Sequence, residues 1–324
     1  MRTPEALLDI SDLRVEYAQG RRRRFAALDG VSFHVERGET VGVVGESGSG
    51  KSTLGRAVLG LAPVAGGRIA FNGEDITHAS ARTRRALSAR LQVVFQDPNS
   101  SLSPTRTIGQ TLSEPLLVHR RVSRREAMTR AREMLTHVGL VPEAADRHPA
   151  QFSGGQRQRI AIARALMLSP DMVICDEPVS ALDVSVQAQV LNLLRSLQRE
   201  LSLSYVFIAH DLAVVRHVSH RTVVVYRGQV MEEGPAELVY AAPGHPYTRA
   251  LIEAAPVPDP DLQLARRRKR IQGPGDTLPA EGAGCPFAGR CPHVVDVCRA
   301  TRPQLQAARS GRLMACHRRD ELAG

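Results

Sequence analysis

The apolar run Thr40-Val41-Gly42-Val43-Val44 passes without a break into Gly45-Glu46-Ser47-Gly48-Ser49-Gly50-Lys51-Ser52. Few segments constrain a fold as tightly. A short buried strand, a glycine loop and a helix opening at Lys51 are the parts of a strand–loop–helix unit of a parallel α/β sheet. Glycines let backbone N–H groups turn inward onto a phosphate, Lys51 neutralises its charge, and the Ser52 hydroxyl is a Mg²⁺ ligand. Gly45, Ser47, Gly48, Ser49, Gly50, Lys51, Ser52 and Thr53 are therefore the candidate nucleotide contacts. The plainer alternative is a glycine turn joining a strand to a helix.

Around this unit the pattern alternates. Leu7–Tyr17, Val31–Val35, Gly66–Phe71 and Leu91–Phe95 read as strands, as do Met172–Cys175 and Tyr205–Ala209, with a helix over Val184–Leu201 between the last two. The alternation predicts an α/β fold with a parallel sheet and helices on its faces. A helical stretch from Thr107 to Leu168 predicts a subdomain, placed at about residues 105–168. A hairpin at Thr222–Glu233 closes the main domain, set at residues 1–235, and a Pro/Gly-rich tail occupies 236–324. There is no internal repeat, which implies one nucleotide-binding domain. With 324 residues, 43% of them hydrophobic, the chain is long enough for a sizeable core, built without a single Trp.

Two further motifs carry chemistry. Met172-Val173-Ile174-Cys175-Asp176-Glu177 is an apolar strand ending in two carboxylates. Asp176 is placed to hold Mg²⁺ through its water shell, and Glu177 to act as general base on the attacking water. Phe152-Ser153-Gly154-Gly155-Gln156 opens a helix and offers a second anion-binding end, or simply an N-cap at Ser153. Two such helix ends in one domain call for two ligands, or for one ligand shared between two chains.

The set resembles the ATP-binding subunit of ABC transporters, whose signature is Leu-Ser-Gly-Gly-Gln; here Phe152 replaces the leading Leu. The remaining family elements occur in order over about residues 5–235: Gln96 in Phe95-Gln96-Asp97-Pro98, the dimer loop Ser180-Ala181-Leu182-Asp183, and His210 in Ala209-His210-Asp211. The resemblance implies a nucleotide-binding domain with a RecA-like core, an antiparallel β part and the helical subdomain. It also implies a head-to-tail dimer enclosing two ATP molecules. Each ATP lies between one subunit's glycine loop and the other's Ser153, Gly154, Gly155 and Gln156. Gln96 would contact Mg²⁺ or water beside a surface that docks the membrane partner. His210 would hold the γ-phosphate, unless it is a structural histidine. Tyr17 is the adenine-stacking candidate, although strand tyrosines often merely pack.

The tail narrows the resemblance. Gly244-His245-Pro246-Tyr247-Thr248-Arg249-Ala250-Leu251, then Pro256-Val257-Pro258-Asp259-Pro260, precede Gly284-Cys285-Pro286-Phe287-Ala288-Gly289-Arg290-Cys291-Pro292. They are similar to the C-terminal extension of dipeptide and oligopeptide import ATPases. Val179-Ser180-Ala181-Leu182-Asp183-Val184-Ser185-Val186-Gln187-Ala188-Gln189-Val190-Leu191 is like the subunit called the F type. That type pairs with a D-type ATPase on two membrane permeases, served by an extracytoplasmic peptide-binding protein. Nickel and glutathione import ATPases are near relatives. Cys285, Cys291, Cys298 and Cys316 are spaced C-x5-C-x6-C-x17-C, without the close pairs of zinc ribbons. Four thiolates hold a [4Fe–4S] cluster or Zn²⁺, or stay free in a tail; the family resemblance favours the cluster. Cys175, inside an apolar strand, reads as packing.

The formal net charge is +10, and all but two of the 43 basic residues are arginine. Runs occur only at Arg21–Arg24 and Arg266–Arg270, without interleaved aromatics, so they read as solvated loops and no nucleic-acid partner is expected. A DNA-maintenance ATPase with this head would carry long coiled coils between Lys51 and Ser153, where no sustained heptads occur. A ribosome-associated iron–sulfur ATPase would carry two nucleotide domains and an N-terminal cluster. With no apolar run near the ~20 residues of a membrane span, and no signal-peptide pattern at Met1–Ile10, the expected place is the cytoplasmic face of the plasma membrane.

Overall fold

A computed structural model describes residues 6–20, 23–97, 101–120, 122–255, 284–308 and 311–322. Arg21, Arg22, Pro98, Arg266–Arg270 and Pro256–Pro260 lie outside the described residues. Two compact units are assembled from separated stretches of chain. One, the helical unit, takes the residues up to Leu7, Val35–Glu39 and His78–Ile208; the other, the phosphate-loop unit, takes Leu8–His34, Thr40–Thr77 and the chain from Ala209.

The first strands are β1 (Leu8–Gln19), β2 (Arg23–Val35), β3 (Thr40–Val44), β4 (Val64–Phe71), β5 (Glu74–Asp75) and β6 (Leu91–Val94). They are followed by β7 (Met172–Asp176), β8 (Ser204–Ala209), β9 (Arg221–Tyr226), β10 (Gln229–Pro235), β11 (Gln306–Ala307) and β12 (Leu313–Met314).

In the phosphate-loop unit, β2-β1-β4-β5 form one sheet, with β1 and β4 antiparallel. Leu8 and Ile10 of β1 are buried, and then the buried set jumps to Leu13 and Val15. The register shifts between Ser11 and Arg14, and Asp12 there takes a φ of 49°. This bulge adds one residue and so moves the later apolar side chains back onto the core face.

In the same unit β3 runs parallel to β9, and β9 turns back antiparallel into β10. All five residues of β3 are buried, as expected for a strand covered on both faces. At Gly42 any Cβ would lie 2.0 Å from Cγ1 of Val215, on the helix Leu212–Val218, so the close approach needs glycine. The expected hairpin is present, its turn made by Arg227 and Gly228, both with positive φ. Two-residue strands from the tail, which no sequence pattern announces, extend this sheet: β12 pairs with β10 and β11 with β12.

In the helical unit β6, β7 and β8 are parallel, Leu91 opposite Met172 and Met172 opposite Ser204. The expected helical stretch resolves into Ile108–His119, Arg124–His137 and Gly154–Leu166, with two short 3₁₀ turns before the last. Thr107 and Gln110 close a capping box at the first, and Ser123 caps the second. The helix Val184–Leu201 has the expected bounds, started by Asp183, which accepts from the Val186 N–H at 2.9 Å.

Candidate functional site

In the phosphate-loop unit, the helix Lys51–Val58 starts from Gly50, which sits at φ 105°, and no side chain caps its first turn. A helix start without a side-chain cap is a ready place for an anion. Lys51 is buried, its Nζ donating to the carbonyls of Gly45 at 2.8 Å and Glu46 at 2.9 Å. A Cβ at Gly45 would lie 2.1 Å from the Val225 carbonyl oxygen, and one at Gly50 2.5 Å from that of Ala27. The loop is therefore pressed onto backbone, with Ser47 and Gly48 exposed at its crest and Ser49 buried beneath. Ser52 and Thr53 are half-buried in the first helical turn. Tyr17 lies near the end of β1 with its ring partly exposed, and His210, exposed, follows β8.

Glu46 lies outside the expected nucleotide contacts. Its N–H donates to the Tyr247 hydroxyl at 2.8 Å. Its carboxylate takes two parallel bonds, both 2.9 Å, from the Arg290 guanidinium. These partners stand 201 and 244 residues away, so no local signal could have found them.

In the helical unit, Asp176 ends β7 half-buried, and Glu177 follows at φ 48°, its N–H bonded to the Ile208 carbonyl at 3.0 Å. A non-glycine residue held in the left-handed region is strained, a state that clusters at working sites. Gln96 Nε2 approaches Oε2 of Glu177 at 3.4 Å. Ser180 Oγ donates to the Glu177 carbonyl at 3.1 Å, and Gln187 Nε2 donates to the carbonyls of Val179 and Leu182. The Ser180–Asp183 loop is thus tied at both ends while Ala181 and Asp183 remain exposed. Hydrogen bonds from Ser185 and from the Val186 N–H hold the Asp183 carboxyl below its ordinary range.

Ser153 is exposed and caps Gly154–Leu166, its Oγ accepting from the Gln156 N–H while Gln156 Oε1 accepts from the Ser153 N–H. A Cβ at Gly155 would lie 2.3 Å from Cγ1 of Val186, so glycine lets this helix start meet the helix Val184–Leu201. Phe152 in place of Leu is buried, with the Arg147 guanidinium 4.5 Å above its ring.

Cys285 and Cys298 are buried, Cys291 and Cys316 half-buried, and all four line one small cavity. Burial, then the neighbouring thiols, push Cys285 up to about 12; burial raises Cys291 and Cys316 as well. Among the described residues no group of three or more His, Cys, Asp or Glu is placed to hold a metal ion. The expected metal therefore has a common cavity and suitable donors, but no formed ligand set. Cys175 is fully buried in β7, as its apolar run suggests. Burial also lowers His245 to about 4, and its Nδ1 accepts the Tyr247 N–H at 3.0 Å. No described helix is long and apolar enough to cross a membrane.

A family model described as "ABC transporter" matches residues 28–180, and one described as "Oligopeptide/dipeptide transporter, C-terminal region" matches 231–298. The oligopeptide transport ATP-binding protein OppF of Salmonella typhimurium is 48% identical, covering 94% of this chain and 94% of that protein. OppF of Escherichia coli is 47% identical, with 94% of each chain covered. Among solved structures, the dimeric post-hydrolysis state of the ATP-binding cassette MJ0796 bound to ADP and Pi is 30% identical. Its TM-score is 0.64, covering 71% of this chain and 98% of that one. The fold is that of ABC ATPase nucleotide-binding domains. The chain belongs to the ATP-binding subunits of ABC transporters of the dipeptide and oligopeptide import family, ATPases coupled to transport.

Proposed function

We propose that this chain is the energy-coupling subunit of an importer of dipeptides or oligopeptides. The carrying observation is that its phosphate loop opens a helix without a side-chain cap while Ser153 and Gln156, both exposed, mark a second helix start. One ATP bound by both kinds of helix end belongs to a two-chain sandwich, here with a D-type subunit beneath two permeases and an extracytoplasmic binding protein. The subunit would sit on the cytoplasmic face of the membrane. The domain division at about residue 235 is retained as part of this reading, with the tail as a C-terminal extension.

In this reading Gly45 and Ser47–Thr53 cradle the phosphates and Tyr17 stacks the adenine. The partner's ATP meets Ser153, Gly154, Gly155 and Gln156, and Ser180–Asp183 line the dimer seam. Ser52, Gln96 and Asp176 would hold Mg²⁺, which when bound neutralises charge developing on the phosphates. Glu177 takes the proton of the attacking water, and His210 holds the γ-phosphate. ATP binding closes the dimer and product release reopens it. Reconstituted with its partner ATPase, permeases and binding protein, the complex should hydrolyse ATP faster when peptide is added. Stimulation by nickel or glutathione in place of peptide would reassign the cargo; no stimulation by any of them would overturn the reading.

The tail cysteines are proposed as ligands of a [4Fe–4S] cluster, supported by their shared cavity and thiol chemistry. Such a cluster would pin a short segment that has little core of its own. Anaerobically isolated protein should be brown, with iron and acid-labile sulfide near four per chain. Stoichiometric zinc without iron, or metal-free protein, would discard the cluster.

A further inference from the structure

The C-terminal segment reaches the phosphate loop at Glu46. Glu46 is held on two sides, its carboxylate by the forked guanidinium of Arg290 and its N–H by the Tyr247 hydroxyl. The same residue's carbonyl, with that of Gly45, anchors the Lys51 ammonium. A continuous chain of contacts therefore runs from the tail to the cation that meets the phosphates.

Both outer partners are themselves fixed. Tyr247 packs at 4.5 Å from the Tyr226 ring and 5.5 Å from Phe287, and Phe287 lies edge-on to Tyr226. The Arg290 guanidinium rests 5.5 Å from the Phe287 ring and 5.9 Å from Tyr226. A planar guanidinium making two parallel bonds fixes its partner's direction as well as its distance, which a lysine would not do. The ion pair is more than a third exposed on both sides, so as a stabilising contact it counts for little. Its geometry is the informative feature. A half-exposed pair that adds little to stability has been placed on a loop whose shape sets phosphate binding.

We propose that Arg290 and Tyr247 are positioning residues for ATP hydrolysis, through which the C-terminal extension sets the shape of the phosphate loop and the seat of Lys51. The nucleotide-binding site is then not confined to the segment before the tail. Phe287, which carries the Arg290 stack, also lines the cysteine cavity, so packing in the tail and geometry at the loop share a side chain.

The test is steady-state ATPase kinetics of the assembled complex, with ADP affinity of the subunit and its thermal unfolding midpoint measured beside them. Arg290→Ala should lower kcat/KM for ATP about tenfold, because small misplacements of a binding group cost one to two orders of magnitude. ADP affinity should fall in parallel and the unfolding midpoint should stay put. Glu46→Gln, which leaves the tail untouched, should lower kcat/KM several-fold. Adding R290A to E46Q should then cost little more, since two halves of one contact are not additive. Arg290→Lys should fall between wild type and Arg290→Ala, and the exchange E46R/R290E should recover part of the loss. The proposal is overturned if both single variants keep kcat/KM within twofold, or if their effects simply multiply in the double variant. It also fails if Arg290→Ala acts only by lowering the unfolding midpoint while Glu46→Gln is silent.

Discussion

Glu177→Gln should reduce ATP turnover by about two to four orders of magnitude while ATP binding survives, the range lost with a positioned general base. The expectation rests on where the backbone holds the side chain. Glu177 sits at φ 48°, its N–H bonded to the Ile208 carbonyl, and its own carbonyl accepts from Ser180. These contacts are made by the backbone, so the amide should keep the same backbone placement and lose basicity and charge. Gln96 Nε2, 3.4 Å from Oε2, meets an acceptor oxygen in either side chain. Stability should accordingly change by less than about 0.5 kcal/mol. Single-turnover hydrolysis, compared with equilibrium binding of ATP at the same Mg²⁺ concentration, separates the two effects. Undiminished hydrolysis would remove Glu177 from the role of base. Loss of binding together with turnover would mean that it holds the loop and not the water.

What could be read from the sequence was whatever is local. The Thr40–Val44 strand and the loop after it are legible because a fully buried strand must be continuously apolar and the turn must be glycine. The bounds of Val184–Leu201 are legible because Asp183 supplies the cap and the apolar spacing persists to the last turn. The capping chemistry at Ser153 is equally local, and the structure shows it as a capping box within one chain. The bulge at Asp12 was only half-visible: the break in alternation is in the sequence, but its cause is a register shift against β4. Long-range pairs left no trace. Glu46 with Arg290, and Glu232 with Arg312, lie 244 and 80 residues apart in loops or strands with no periodic pattern. The strands β11 and β12 have two residues each, too short for any alternation to appear. The cysteine spacing announced thiol chemistry, yet spacing alone does not fix how closely four sulfurs approach.

The second large effect is expected at Arg312, where the tail is fastened to the sheet. Arg312 is 1% exposed and Glu232 is fully buried, with Nη1 donating to Oε1 at 3.1 Å. Glu232 also accepts the N–H groups of Gly244 and His245, each at 2.9 Å, and Arg312 donates to the Ala242 carbonyl. One carboxylate therefore gathers β10, the 242–245 turn and the segment leading into β12. Removing the cation leaves that charge buried against the neutral N–H donors of Gly244 and His245, and breaking such pairs costs about 3–5 kcal/mol. Arg312→Ala should lose that much in urea unfolding and should expose the tail to proteolysis first. Cavity formation contributes to the same number, so Arg312→Met, which keeps much of the volume, is the sharper probe. If charge dominates, Arg312→Met should remain destabilised by several kcal/mol, and adding Glu232→Gln should recover a large part of it, because the uncompensated charge is then gone. If packing dominates, Arg312→Met alone should be nearly neutral. Gly234 argues that some packing is involved, since a Cβ there would come within 2.7 Å of the Arg312 side chain. The arginine stem lies flat on that glycine, so Gly234→Ala should reproduce part of the loss with the ion pair's chemistry left intact.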